Sequence, residues 1–270
     1  MRVLIERDYD AMSRRAAEFV AEVIRQKPNC VLGLATGSTP IGLYKELIRL
    51  NRDEGLDFSE IVTFNLDEYY GLAPDHEQSY HYFMEEQLFG HLNPRPKQTH
   101  VPDGLAKDPE AFCAEYEQKI RDAGGIDIQV LGIGGDGHIA FNEPSSSLTS
   151  RTRLKTLTEE TIEDNSRFFA SLDEVPRFAI TMGVGTILDA RRCLMVASGV
   201  NKAKVVHLSI EGPVSSEVTA SALQMHADTI AILDEDAACE LERKDYFTHV
   251  ERMRAELQSG KPAVPGTTTS

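Results

Sequence analysis

The sequence predicts an α/β fold, with one doubly wound, mainly parallel β-sheet and helices on both of its faces. Short runs of apolar and β-branched residues, bounded by glycine or polar residues, recur along the chain and indicate buried strands. Between these runs lie longer segments whose apolar residues recur at helical spacing. A regular alternation of the two is typical of the single-sheet, Rossmann-like arrangement, in which helices connect parallel strands.

The predicted elements follow one another along most of the chain. The strands are residues 3–5, 30–35, 61–66, 126–131, 178–182, 193–197 and 229–233. The helices are residues 12–24, 43–50, 79–91 and 109–123, a stretch near Ile187, and residues 202–210. Pro28 ends the first helix, Pro40 lies in the first turn of the second, and Asp108 precedes Pro109 where the fourth begins.

The composition indicates which classes of binding partner and which cell compartment to expect. The formal net charge of −15 argues against nucleic acid and anionic membrane as partners, because an acidic surface repels phosphate groups. No apolar run has the length of a signal-peptide core or of a membrane span, so we expect a cytoplasmic protein. The four cysteines are scattered without a C-x-x-C pair, which predicts reduced, structural thiols.

The domain organisation follows from length and local composition. A chain of 270 residues is long enough for one large α/β domain or two small ones. No linker-like stretch precedes Gly260, so we expect one α/β domain over residues 1–259. Residues 260–270 are rich in glycine, proline and threonine and predict a flexible carboxy-terminal tail.

Candidate catalytic side chains are concentrated in residues 131–144, at the end of the predicted strand 126–131. This stretch places Asp136, His138 and Glu143 within eight residues, among four glycines. Ligands in open α/β sheets bind at the carboxyl ends of strands, and glycines allow the sharp turn that would hold such side chains. We therefore favour an acid/base site over a simple tight turn, because a histidine flanked by carboxylates can move protons near neutral pH.

The same stretch also matches a dinucleotide-binding pattern. Gly132, Gly134 and Gly137 have the G-x-G-x-x-G spacing, and Glu159 stands about 20 residues further on. Two features argue against this interpretation. Asp136 would lie beside the pyrophosphate, and Pro144 follows too soon for a helix to begin at the last glycine.

Three other segments carry polar residues that are candidates for function. Residues 36–40 form a glycine- and hydroxyl-bearing loop between a strand and a helix, which is either an ordinary capped turn or an anion site. Asp67 and Glu68 follow the strand 61–66, and because adjacent side chains point in opposite directions, we expect only one to face the site. Residues 151–155 alternate basic side chains, typical of a solvated edge strand or of an anion site.

Four motifs together resemble the glucosamine-6-phosphate deaminase family. They are ATGSTP at residues 35–40, TFNLDEY at 63–69, GGDGHIAFNEP at 134–144 and SRTRLKTL at 150–157. They stand in the order of the family, and the resemblance covers almost the whole chain up to Gly260. Leu66 is a departure, because the family usually has methionine there. The related 6-phosphogluconolactonases resemble the chain in the phosphate loop.

The resemblance implies an isomerising deamination of glucosamine 6-phosphate to fructose 6-phosphate and ammonia, without a metal or an organic cofactor. It assigns Asp67 as the base that removes the proton from carbon 2. It assigns Asp136, His138 and Glu143 to ring opening. For the substrate phosphate it implies the following residues: Gly37, Ser38 and Thr39 of the loop, Arg167 of the motif at 166–169, and Lys202 of the motif at 199–203.

The resemblance also implies regulation and assembly. Regulated members bind N-acetylglucosamine 6-phosphate through a segment like residues 145–155, which here supplies Ser146, Arg153 and Lys155. Tyr246 corresponds to the carboxy-terminal tyrosine of that site, in a segment about two residues shorter than the family pattern. The family is often hexameric, so we expect a homo-oligomer.

Three alternatives from other classes stay open at this point. A metal-dependent hydrolase would use Asp67, Asp136, His138 and Glu143 as ligands, although no H-x-x-x-H or cysteine spacing supports it. A 6-phosphogluconolactonase-like hydrolase would need the phosphate loop and one histidine but no base for carbon 2. A sugar-phosphate sensor would need the phosphate site alone. Release of ammonia from glucosamine 6-phosphate in a metal-chelated assay separates these alternatives from a deaminase.

Overall fold

The computed structural model describes residues 1–167, 169 and 171–258, so the predicted tail at 260–270 lies outside the described residues. The strands of the described part are β1 (Arg2–Glu6), β2 (Val31–Leu34), β3 (Val62–Asn65), β4 (Asp67–Tyr69), β5 (Gln98–His100), β6 (Ile128–Leu131), β7 (Arg153–Thr156), β8 (Phe178–Thr181), β9 (Cys193–Ala197) and β10 (Thr229–Asp234). Its α-helices are α1 (Tyr9–Gln26), α2 (Ile41–Glu54), α3 (Tyr80–Gln87), α4 (Pro109–Asp122), α5 (Glu159–Ser166), α6 (Val184–Leu188), α7 (Ala203–Ile210) and α8 (Lys244–Gln258).

The main layer in the described residues is a seven-stranded sheet of order β1-β10-β9-β6-β2-β3-β5. Every neighbouring pair in it is parallel, which confirms the predicted fold class. Its central strands β2, β6, β9 and β10 are buried along their whole length, as parallel strands covered on both faces are.

The helices divide between the two faces because crossover connections are right-handed. The connections from β1 to β2 and from β2 to β3 run in one direction across the sheet, which places α1 and α2 on the same face. The packing of α1 against α2, and of α2 against α3, agrees with this placement. The connections from β6 to β9 and from β9 to β10 run the other way, so α6 and α7 cover the opposite face.

A second sheet extends the predicted architecture. It has three antiparallel strands in the order β4-β8-β7, and residues 178–182, which the sequence predicts as a strand, supply its central member. β4 follows β3 after one residue, so the chain passes directly from the large sheet into the small one. The short polar strand β5 and the helices α5 and α8 were not among the predicted elements.

The apolar core is continuous across the large sheet. One cluster of buried side chains extends from Val3 on β1 to Leu241, just before α8. A smaller cluster lies beside the small sheet and includes Tyr69, Phe141 and Ala179. In the described part of the chain, no helix combines the length and the apolar composition that crossing a membrane requires.

The strand order creates a crevice between β2 and β6. The connections that leave β2 lead towards β3 and β5, whereas those that leave β6 lead towards β9 and β10. The loops after β2 and β6 therefore diverge at neighbouring carboxyl ends, where α/β sheets bind their ligands. These are the loops that contain residues 36–40 and 132–143.

Candidate active site

The loop after β2 ends where α2 begins. Gly37 has φ +97°, a left-handed conformation that favours glycine, and Gly37 and Ser38 are exposed. The hydroxyl of Tyr9, on α1, donates to the carbonyl of Thr39 at 3.1 Å and accepts from the amide of Gly42 at 2.8 Å. Tyr9 thus fastens the loop to the first turn of α2, whose unpaired N–H groups and dipole attract an anion.

The loop after β6 holds His138 against Asp136. Nδ1 of His138 lies 2.7 Å from Oδ1 of Asp136, within ion-pair distance but outside hydrogen-bond geometry. The backbone N–H of His138 donates to the same oxygen at 3.0 Å. Burial alone would raise the pKa of the Asp136 carboxyl, but its interactions with His138 outweigh burial and lower that pKa. Asp136 is therefore an anion that can orient and stabilise a protonated imidazole.

Two glycines shape this loop. A Cβ at Gly134 would lie 2.4 Å from ring atoms of His138, so only glycine leaves room for the imidazole there. Gly137 has φ +89°, and its carbonyl accepts from the amide of Ala220 at 3.0 Å. No helix occurs anywhere in residues 132–152, all of which the structure describes, so the dinucleotide interpretation lacks the helix end that it needs.

Glu143 is buried and bound to a neighbouring segment. Its carboxylate accepts from the backbone N–H of Thr158 at 2.8 Å and from the Thr158 hydroxyl at 3.2 Å. Thr158 also caps α5, so Glu143 connects the loop after β6 to that helix. Its hydrogen bonds thus come from Thr158 rather than from His138. The flanking residues Ala140 (φ 51°) and Ser145 (φ 69°) have left-handed backbone conformations, which are strained for residues other than glycine.

Asp67 is the buried acid of the site, with 6% of its surface exposed. Burial is the main cause that raises its pKa to about 8, and the neighbouring carboxylate of Glu68 adds to the shift. Tyr69 lies on the same side of β4 as Asp67. Its ring packs against that of Tyr80, which is stacked on the ring of Phe141. This aromatic cluster brings the start of α3 and the loop after β6 together beside Asp67.

Glu68 points the other way and has a structural function. Its carboxylate accepts from three backbone N–H groups, those of Tyr69, Tyr80 and His81, each at 2.9 Å. Tyr80 and His81 form the first turn of α3, so Glu68 satisfies N–H groups that a helix leaves unpaired. The adjacent acids therefore differ in surroundings, as the alternation of side chains on a strand predicts.

The two predicted phosphate cations come from different elements. Arg167 is exposed at the end of α5, and the neighbouring Phe168 of its motif lies outside the described residues. Lys202 ends a short 3-10 helix that follows β9, the strand next to β6. The carboxylate of Asp234 holds this connection, because it accepts from the hydroxyl of Ser198 and from the amide of Gly199 at 3.0 Å.

The basic segment forms β7, the edge strand of the small sheet. Arg151, just before the strand, pairs with Glu117 at 2.9 Å and with Asp189 at 2.7 Å. Arg153 is half-buried, and among the described residues no carboxylate lies within ion-pair distance of it. Burial lowers the pKa of Arg153, since the charged form is partly removed from water. Lys155 lies on the same side of the strand.

The remaining predicted effector residues lie on different elements. The Ser146 hydroxyl is buried and has no hydrogen-bond partner among the described residues. Tyr246 is exposed on α8, which packs against β1 at one edge of the large sheet. β7 instead packs against β8 and α4. Within one chain, the basic segment and Tyr246 therefore belong to separate faces of the molecule.

Several residues that shape the site were missed by sequence reasoning. Tyr9 holds the loop after β2, Thr158 holds Glu143, and Asp234 holds the connection that contains Lys202. Thr158 had a visible signal, since a threonine followed by two acids is typical of a helix start. Tyr9 and Asp234 act across long sequence separations that no local pattern reveals. Within the described residues, no group of three or more His, Cys, Asp or Glu side chains is arranged to hold a metal ion.

Comparison with known proteins places this geometry in a family. The model of the glucosamine-6-phosphate isomerases/6-phosphogluconolactonase family matches residues 6–232. A glucosamine-6-phosphate deaminase of Halothermothrix orenii is 56% identical over 238 residues, which are 88% of this chain and 99% of that protein. A solved structure described as a monomeric glucosamine-6-phosphate deaminase has a TM-score of 0.85 at 45% identity, covering 89% of this chain and 100% of its own.

A more distant structure shares the fold alone. The 6-phosphogluconolactonase from Trypanosoma brucei has a TM-score of 0.69 at 19% identity, over 89% of this chain and 98% of its own. The family match covers far more than half of the sequence, and the 56% identical relative aligns over almost its entire length. The chain therefore belongs to the glucosamine-6-phosphate isomerase/6-phosphogluconolactonase family.

Proposed function

We propose that the protein is a glucosamine-6-phosphate deaminase, which converts glucosamine 6-phosphate and water to fructose 6-phosphate and ammonia. The observation that carries the proposal is that two separate candidate groups for proton transfer follow parallel strands of the same sheet. The His138–Asp136 pair follows β6, and the buried acid Asp67 follows β3, two strands away. A hydrolase of lactones has no step that requires a base for a carbon-bound proton.

The phosphate of the substrate would bind at the loop after β2. Gly37, Ser38 and Thr39 stand at the amino end of α2, and the rigid support from Tyr9 keeps their backbone N–H groups in place. Arg167 and Lys202 supply cations from the ends of α5 and of the segment after β9. In a protein with a net charge of −15, such a local basic site is what an anionic substrate needs.

Ring opening would use His138. The imidazole takes the proton of the hydroxyl on carbon 1 and returns a proton to the ring oxygen, which breaks the bond between that oxygen and carbon 1. Nδ1 faces Asp136, so Nε2 is the nitrogen that meets the sugar. Asp136 stabilises the imidazolium that forms in between. Glu143, held by Thr158, completes this group from the same loop.

Isomerisation and deamination would use Asp67. Its carboxylate removes the proton from carbon 2 of the open-chain sugar while the carbonyl oxygen on carbon 1 takes up a proton, which gives an enolamine. The protonated Asp67 then returns its proton to carbon 1, and the lone pair of the nitrogen forms the double bond to carbon 2. The nitrogen on carbon 2 is then bound as an imine, to which water adds before ammonia leaves. A carboxylate whose pKa is raised to about 8 by burial is a stronger base than an ordinary aspartate, as removal of a carbon-bound proton requires.

The assay that tests the proposal measures ammonia released from glucosamine 6-phosphate in the presence of a metal chelator. We expect stoichiometric ammonia and fructose 6-phosphate at an unchanged rate with chelator. Hydrolysis of 6-phosphogluconolactone serves as the comparison reaction and should stay at the uncatalysed rate. Lactone hydrolysis without ammonia release would replace the proposal with the lactonase alternative, and loss of turnover on chelation would replace it with a metal-dependent mechanism.

We also propose regulation by N-acetylglucosamine 6-phosphate in a homo-oligomer, with a hexamer as the expected assembly. Two observations support an anion site on the basic segment: Arg153 is half-buried without an ion pair among the described residues, and the Ser146 hydroxyl is buried without a partner there. Lys155 extends the same side of β7. Tyr246 lies on α8, away from β7, so it would complete this site only from a neighbouring copy.

We further propose a single catalytic domain and a cytoplasmic location. Residues 1–259 would act as one catalytic domain, since a single apolar cluster runs from Val3 to Leu241. A cytoplasmic location agrees with cysteines that are all free thiols in the described chain. Measurement of enzyme activity in separated cell fractions tests the location.

A further inference from the structure

Asn142 connects β7 to the turn of residues 138–143. Its side chain is completely buried, and Nδ2 donates to the carbonyls of Ile139 at 3.0 Å and Met182 at 2.7 Å. Its Oδ1 accepts from Nη1 of Arg153 at 2.9 Å. One side chain thus joins the turn after β6, the end of β8 and the edge strand β7.

The turn depends on bonds of this kind because its backbone is strained. Ala140 has φ 51°, a conformation that persists only where surrounding contacts impose it. Thr219 accepts from the amide of Ile139 at 3.3 Å and donates to the carbonyl of Asn142 at 2.7 Å. Thr181 accepts from the amide of Phe141 at 3.1 Å. Of these contacts to the turn, the Asn142 side chain is the one that also reaches a charged residue.

Arg153 also lies in register with the base of the proposed reaction. In the small sheet, Thr181 of β8 is paired with Asp67 on one side and with Arg153 on the other. Paired residues in neighbouring strands share a face, so the three form one row across the sheet. Arg153 donates to neutral oxygens, those of Asn142 and of the Arg151 carbonyl at 3.3 Å. A cation held by neutral partners is sensitive to any anion that approaches it.

We infer that Asn142 and Arg153 form a positioning unit for the active site. Arg153 orients the Asn142 amide, and the amide holds the 138–143 turn in the conformation that presents His138 and Glu143 to the sugar. Neither residue touches the substrate in this scheme; each acts through the turn. The inference rests on the proposed function, and it gives the edge strand β7 a direct mechanical connection to the ring-opening group.

The test compares three variants in the absence of any effector. Asn142→Ala removes the three side-chain bonds and should lower kcat by about 10- to 100-fold, the usual effect of a small displacement of catalytic groups. Arg153→Met keeps the side-chain stem and should lower kcat by about 2- to 30-fold. KM should change little for both, because among the described residues no hydrogen bond joins the Asn142 side chain to the loop of residues 36–40. Arg151→Met is the matched control, since Arg151 pairs with Glu117 and Asp189 instead, and its kcat should stay unchanged.

The double variant decides whether Arg153 acts through Asn142. In the Asn142→Ala background, adding Arg153→Met should lower kcat by less than about twofold, because the connection is already broken. Effects that multiply, or an Arg153→Met variant with the wild-type kcat, would overturn the inference. Arg153→Met keeps the test decisive even where Asn142→Ala fails to fold.

Hydrogen exchange separates this inference from the proposed function. Mass spectrometry of the peptide that contains residues 138–143 should show faster amide exchange in Arg153→Met than in the wild type and in Arg151→Met. This readout requires no turnover. A wild type that releases no ammonia would overturn the proposed function, and the exchange rates would still decide the role of Asn142 and Arg153. Equal exchange in all three proteins would overturn the positioning unit.

Discussion

At the scale of single residues, two neighbouring carboxylates on β4 illustrate how surroundings assign chemistry. Asp67 is buried, and among the described residues no hydrogen bond reaches its carboxylate, so burial dominates and raises its pKa. Burial also raises the pKa of Glu68, to about 7, but three backbone N–H groups donate to its carboxylate and counteract that shift. Of two carboxylates one residue apart, Glu68 therefore anchors a helix, and Asp67 is the one that we propose as the base. Sequence alternation predicted that they would differ, and the resemblance selected Asp67 for catalysis.

The role of Asp67 is tested by proton exchange. Asp67→Asn should abolish exchange of the carbon-2 proton with solvent together with ammonia release, because the amide keeps the shape but cannot accept the proton. We expect activity to fall by about 10²- to 10⁴-fold, the usual contribution of a positioned base. Nuclear magnetic resonance of the sugar in heavy water measures the exchange. Exchange that survives in a folded Asp67→Asn enzyme would move the base elsewhere.

The raised pKa of Asp67 also predicts the pH dependence of the enzyme. A base acts in its ionised form, and burial raises the pKa of Asp67 to about 8. Between pH 6 and its pKa the ionised fraction rises about tenfold per pH unit, so kcat/KM should rise with pH and level off above about 8. The profile of kcat/KM reports the ionisation of groups in the free enzyme. A profile that is flat from pH 6 to 9 would contradict the assignment.

At the scale of secondary structure, Glu68 connects β4 to the start of α3, because its carboxylate accepts from the backbone N–H groups of Tyr80 and His81. Glu68→Gln exchanges one accepting oxygen for an NH₂ group and leaves a partly buried N–H of the first turn without a partner. We expect a loss of about 1–3 kcal/mol in the free energy of unfolding, with carbon-2 exchange retained. Denaturant unfolding measures the first quantity. Glu85→Gln is a matched control on the same helix, because its pair with Arg95 is exposed and should contribute within about 1 kcal/mol.

A reversed result for Glu68 would be informative. Loss of proton exchange in Glu68→Gln with unchanged unfolding would identify Glu68 as the base. The hydrogen bonds from Tyr80 and His81 argue against this, since they occupy both carboxylate oxygens. A carboxylate that already accepts three backbone N–H groups is a weaker base, and only about one of its four lone-pair positions is left for a substrate proton.

The elements differ in how much the sequence revealed about them. The buried strands β2, β6, β9 and β10 were predicted because short, mainly apolar and β-branched runs bounded by glycine or polar residues leave few alternatives. β5 is polar and largely exposed at the edge of the large sheet, so no apolar pattern marks it. β8 was predicted as a strand, but its antiparallel partners β4 and β7 are fixed by contacts between distant segments. Local periodicity carries no information about such pairing.

At the scale of the whole molecule, the strand order explains why the motifs meet. The loops after β2 and β6 are about 95 residues apart in the sequence, yet they leave neighbouring strands at the point where the connections diverge. The sequence predicted that both loops follow strand ends, and therefore share one edge of the sheet. It did not predict that β2 and β6 are neighbours, because that order depends on the crossover path of the entire chain. The position of Tyr246 on α8, away from β7, was likewise beyond local patterns.

Assembly and regulation depend on each other in the proposed enzyme. In the proposed regulatory site, Ser146, Arg153 and Lys155 of one copy would bind the effector phosphate, and Tyr246 on α8 would reach β7 from another copy. We therefore expect a homo-oligomer in sedimentation velocity, and cooperative kinetics that become hyperbolic when N-acetylglucosamine 6-phosphate is added. The coupling should be about 1–3 kcal/mol, or about 5- to 150-fold in substrate affinity. Charge-assisted hydrogen bonds from Arg153 and Lys155 to the effector phosphate would supply the difference between the two states.

Variants on β7 separate this effect from unspecific anion binding. Lys155→Met should remove the response to the effector, and Arg151→Met, whose cation is neutralised by Glu117 and Asp189, should keep it. Assembly and activation are linked in this scheme, because a single copy lacks the tyrosine. One solved relative is described as monomeric, so a monomer is a real outcome for this family. Hyperbolic kinetics without response to N-acetylglucosamine 6-phosphate, in a preparation shown to be oligomeric, would refute the regulatory proposal and leave the catalytic one intact, because Asp67 and His138 lie within one chain.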